Sequence, residues 1–101
     1  MDTRALIACL LVACTGPKPH AEVVTVAPSP VPGHERVTLA VRNDGRHGEV
    51  TLEITLRGAS GSVLHDTHHI DVQADERISV VVDIAAPADA YTATVEAQYP
   101  D

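Results

Sequence analysis

Apolar and polar residues alternate along most of this chain with a period of two. That is the repeat of a strand with one dry face and one wet face. Val24 and Val26 open the pattern in a short first strand. Pro28, Pro30 and Pro32 end it, because proline donates nothing to a ladder. Val37, Leu39 and Val41 follow, interleaved with Arg36, Thr38, Ala40 and Arg42. Val50, Leu52, Ile54 and Leu56 then alternate with Glu49, Thr51, Glu53, Thr55 and Arg57. A less regular fourth run sets Leu64, His68, Ile70 and Val72 against Val63, His65, Thr67, His69 and Asp71. Ile78, Val80, Val82 and Ile84 alternate with Arg77, Ser79, Val81 and Asp83. Tyr91, Ala93, Val95, Ala97 and Tyr99 close the series against Thr92, Thr94, Glu96 and Gln98.

The connections carry turn chemistry. Asn43-Asp44-Gly45 combines residues that tolerate positive φ, Gly58–Gly61 is glycine-bounded, and Ala74-Asp75-Glu76 is a short polar turn. Ala85–Asp89 is a longer link around Pro87. Six to seven short strands at this spacing predict an all-β chain folded as a single antiparallel β-sandwich over residues 22–101.

Residues 1–13 break the pattern. Arg4 precedes a nine-residue apolar run, Ala5–Ala13, which ends at Cys14. A membrane-spanning helix needs about 20 residues, so this run reads as the core of an export signal. Leu11-Val12-Ala13-Cys14 resembles the lipobox of bacterial lipoproteins. The resemblance implies a signal peptide at 1–13, cleavage before Cys14, a diacylglycerol thioether on Cys14, and a third chain such as palmitate on the new amine. Two or three acyl chains anchor stably where one is marginal. Thr15 follows the anchor where an aspartate would signal inner-membrane retention, so the expected location is the bacterial cell envelope, on the outer membrane facing the periplasm. Residues 14–21 (Cys14 plus TGPKPHA) read as the lipidated cysteine and a flexible tether about 20 Å long at the extended rise. Cys9 leaves with the signal, so the exported domain has no disulfide.

Composition narrows the function classes. The 101 residues hold 14 acidic and 7 basic side chains, two tyrosines and no Phe or Trp, for a net charge of −7. Nucleic acid, which demands a basic surplus and stacking platforms, is excluded as a partner.

Several short motifs resemble the immunoglobulin-like (Ig-like) domains of bacterial envelope proteins. The nearest are the cell-adhesion-related domain of bacteria (CARDB) and the FxLYD lipoprotein domain. Pro32-Gly33 precedes a strand, and Val41-Arg42-Asn43-Asp44-Gly45 matches the family's V-x-N-x-G. Gly61-Ser62-Val63-Leu64, the Ala74-Asp75-Glu76 turn, and Pro87 before Tyr91-Thr92-Ala93-Thr94-Val95 complete it over about residues 23–99. The resemblance implies an Ig-like sandwich with interaction or spacer duties.

One segment carries candidate chemistry. His65-Asp66-Thr67-His68-His69-Ile70-Asp71 holds three of the six histidines, and imidazole with carboxylate binds Zn, Cu or Ni. On a strand, residues two apart share a face, so His69 joins Asp71 while His65 stands about 13 Å from His69. A metal site needs a ligand from elsewhere, and His47 is the best partner. The candidate set is His47, His65, His69 and Asp71. The opposing reading is a solvated, charged edge strand that resists edge pairing. Ser60 and Ser62 lie in a turn with no nucleophile elbow, so no catalytic residue is assigned. Outward arginines and carboxylates predict cross-strand ion pairs, and outward Val81 marks a contact surface or one exposed valine.

The expected role is a lipid-anchored cell-envelope protein acting as a binding or structural accessory module, without catalysis or cofactor. It engages the membrane through its anchor and a protein partner in the envelope. The alternatives are a periplasmic metal or small-ligand binder using His65–Asp71, and an accessory subunit whose open edge pairs with a partner strand.

Overall fold

The computed structural model describes residues 16–99. Six strands form: β1 (Pro19–Pro28), β2 (His34–Asn43), β3 (Gly48–Gly58), β4 (Val63–Val72), β5 (Arg77–Ala85) and β6 (Tyr91–Gln98). All pairings are antiparallel, in two three-stranded sheets ordered β1-β2-β5 and β4-β3-β6. This is the order of strands A-B-E facing C′-C-F in an Ig-like sandwich. A further signature of that architecture is present. Tyr91 opens β6, and its hydroxyl donates to the Pro87 carbonyl four residues upstream, the corner that ties the start of strand F to the preceding loop.

Alternation places the core. Val37, Leu39 and Val41 of β2 lie across from Val50, Leu52, Ile54 and Leu56 of β3, and all are buried. Val72, Val82, Ile84 and Ala86 complete the centre. The edge rows, such as Ala21 and Val23 on β1 or Ala93 and Val95 on β6, are half-buried against it. The core is aliphatic throughout. Tyr99, which the alternation of the last strand puts on the inward row, is 44% exposed.

Two expectations are corrected at the N-terminal end. The first strand begins at Pro19, within the segment read as tether, and Gly16 and Pro17 are buried. The reason lies in Gly45 and Gly48, which let this segment pack closely. A Cβ on Gly45 would lie 2.7 Å from the Lys18 nitrogen, and one on Gly48 would lie 2.6 Å from Pro17 Cγ. Gly45 therefore serves close approach, and the positive φ angles fall instead at Gly33, Gly61 and Asp75. The second correction concerns Val24. The register shifts between Val23 and Thr25, so a bulge turns Val24 outward at 56% exposure while Val23 and Val26 face the core. Bulges of this kind also blunt an edge strand against foreign pairing.

Candidate functional site

The N-terminal end of the sandwich is built around one residue. Asn43 falls on the inner row of β2 and is fully buried. Its Oδ1 accepts from the backbone nitrogens of Lys18 (3.0 Å) and Gly45 (2.9 Å). Its Nδ2 donates to the carbonyls of Arg46 (2.8 Å) and Gln73 (3.1 Å). One amide thus joins the lead into β1, the β2–β3 turn and the end of β4. Gly16 adds to this end, since its carbonyl accepts from Arg46 N at 3.2 Å and its backbone lies under the Tyr99 ring. Buried polar groups are tolerated when fully satisfied, and this one is.

The candidate metal ligands separate into pairs. His47 Nε2, in the β2–β3 turn, meets Asp71 Oδ2 of β4 at 2.8 Å. His69 Nδ1 instead bonds Thr51 Oγ1 at 3.1 Å, and His65 Nδ1 bonds Thr55 Oγ1 at 3.2 Å. These contacts follow the register, which sets His65 opposite Thr55 and His69 opposite Thr51. Among the described residues no three His, Cys, Asp or Glu side chains converge as a metal site. His68 and Asp66 share the inward row of β4, half-buried, with Nε2 to Oδ2 at 2.7 Å. Cys14, the lipidation candidate, lies outside the described residues.

Ser60 is taken up by structure. Its hydroxyl donates to Asp89 Oδ2 at 2.6 Å, and its nitrogen reaches the same oxygen. These hydrogen bonds hold the Asp89 carboxyl below its ordinary range. Ser62 Oγ is buried without a hydrogen-bond partner among the described residues.

The two outer faces differ in what the register aligns. On the β1-β2-β5 face, His20, Arg42 and Arg77 form one row, and Glu22, Ala40 and Ser79 form the next. These six residues line an open cleft of about 410 Å³. At the other end of that face Arg36 grips Asp83 through Nε–Oδ1 at 2.8 Å and Nη2–Oδ2 at 3.0 Å. The Arg36 hydrogen bonds, the largest cause, lower the Asp83 carboxyl to about 2. Of the expected cross-strand ion pairs this one forms in register. Elsewhere like charges meet: Arg42 opposes Arg77, and Glu53 opposes Glu96.

Two residues not expected among the buried ones matter here. Asn43 was marked only as turn chemistry, yet it is in phase with Val37, Leu39 and Val41. Glu35 has the same phase, is 8% exposed, and borders a second cleft of about 240 Å³ beside Gly33 and Ala86. Phase was the available signal for both.

No family model matches the chain, and no characterised protein or solved structure is significantly similar to it.

Proposed function

We propose that the chain is a lipid-anchored protein of the bacterial cell envelope, whose Ig-like sandwich serves as a non-catalytic binding or structural module. The observation that carries this reading is Leu11-Val12-Ala13-Cys14 at the end of a nine-residue apolar run. The packing of the next residues sets its geometry. Gly16 and Pro17 already belong to the folded end, so Thr15 alone lies between it and Cys14, which is two residue steps away. Two residues span about 7 Å at most. An acylated Cys14 therefore holds the Asn43 end of the sandwich directly on the bilayer, without the longer tether. The other end, with Gly33, Glu35 and the Gly58–Gly61 turn, points away and is free to meet a partner.

The outer-membrane location and a protein partner in the envelope are part of this proposal. The accessory-subunit form draws support from β6, which pairs with β3 alone among the described residues. Its other edge, where an Ig-like sandwich carries a further strand, borders β1 with no ladder between them.

Fractionation tests the anchor. The native chain is expected in the membrane fraction and released by detergent, and Cys14→Ala is expected in the soluble fraction without an acyl mass. A Cys14→Ala chain that remains membrane-bound would overturn the reading.

A further inference from the structure

The row His20–Arg42–Arg77 runs across three adjacent strands, and its members are direct register partners. Neighbouring strands stand about 4.8 Å apart, so the three side chains rise from a strip about 10 Å wide. Like charges directly opposite each other destabilise a sheet. This chain carries 7 basic residues in 101, yet it sets two of them face to face.

The cleft beside the row gives that arrangement a purpose. Ala40 and Ser79 are small and form the floor of the next row, so a concave space opens against the cations. Asp44 holds part of the row in place: its carboxylate meets Arg42 Nε at 3.0 Å and His20 Nε2 at 3.2 Å. The terminal Nη groups of Arg42 are left without a partner among the described residues, as is the whole Arg77 guanidinium. Guanidinium forks match the paired oxygens of a phosphate. Glu22, on the β1 side of the floor, closes the site to anions in that direction.

We propose that this cleft binds a phosphate group, with Arg42 and Arg77 as its two ligating forks, His20 as a third donor and the Ser79 hydroxyl within the same site. The cleft lies at the Asn43 end, where Asp44 N donates to the Lys18 carbonyl at 3.0 Å. Two sources of phosphate fit: a free phosphate ion, or the headgroup of an anionic phospholipid. The second source rests on the anchoring reading, which sets this end on the bilayer.

The test has two arms on the whole chain. In the first, detergent-solubilised protein is titrated with inorganic phosphate, and amide shifts of Ala40 and Ser79 are followed. In the second, the Cys14→Ala chain is sedimented with phosphatidylglycerol or phosphatidylcholine vesicles, so acyl chains do not contribute and failure of the anchor leaves the result readable. Arg77→Gln removes no hydrogen bond or ion pair among the described residues and is expected to weaken binding about tenfold, the worth of one charge-assisted pair. Arg57→Gln on the opposite sheet is expected to change nothing. Arg77-dependent phosphate shifts assign the site to free phosphate, and an Arg77-dependent preference for phosphatidylglycerol assigns it to a headgroup. No binding in either arm, or binding that Arg77→Gln leaves unchanged, overturns the proposal.

Discussion

The two outer faces of this sandwich are written in the same alternating pattern and end up chemically opposed. The β1-β2-β5 face carries three arginines against two carboxylates, with small residues between the charged rows. The β4-β3-β6 face carries one arginine, Arg57, against Glu49, Glu53, Asp71 and Glu96, among threonines and histidines. Behind them lies one aliphatic core that both sheets share. Alternation decided which residues face out, and register decided which of them meet. On one face the meeting made a bidentate ion pair and a cationic row. On the other it made Thr–His contacts and an acidic pair.

If the sheets differ only on the outside, equal cuts beneath each should cost alike. Leu39→Ala under the first face and Leu52→Ala under the second are each expected to lose about 2–5 kcal/mol, since both are fully buried. Chemical denaturation reads this directly, and costs differing by more than that spread would break the symmetry. Asn43→Ala is expected to follow at about 2–3 kcal/mol, because it strands buried backbone groups on three segments. Hydrogen exchange should then rise around Lys18, Gly45 and Gln73 before it rises at the far end.

The Arg36–Asp83 pair sharpens the contrast through pH. The Asp83 carboxyl is lowered from 3.8 to about 2. Its contribution is therefore complete above the ordinary carboxylate range and vanishes as pH falls through about 2. Asp83→Asn is expected to lower the melting temperature at pH 6 and to match the parent near the bottom of that window. A deficit that persists unchanged there would assign the effect to packing. The smallest expected effects come from relieving the like-charge pairs. Arg77→Glu and Glu96→Lys should each stabilise by about a few tenths of a kcal/mol. They part in function: Arg77→Glu should gain stability while losing phosphate, and Glu96→Lys should gain it at no such loss.

The strands and the core were legible in the sequence because every central strand repeats with a clean period of two, whereas their order within the sheets was not. Val37–Val41 and Val50–Leu56 show this most plainly, and both lie where the pattern put them. The first strand was misphased because a bulge at Val24 adds one residue, which a fixed period cannot accommodate. The histidine segment was placed on the right faces, with His68 on the inward row and His65, His69 and Asp71 outward. Its division into separate pairs was hidden, because strand pairing supplies Thr51 and Thr55 as partners. The cationic row was hidden for the same reason, as His20, Arg42 and Arg77 lie far apart in sequence. Asn43 was noticed as a turn former and is instead a buried knot, which its phase with Val41 indicates.

The most direct test of the account is the intact mass of the protein extracted from the membrane fraction of its producing cell. The account predicts a chain that begins at Cys14 and carries a diacylglyceryl group, with or without a third acyl chain. An unmodified chain, or one that begins elsewhere, would contradict it.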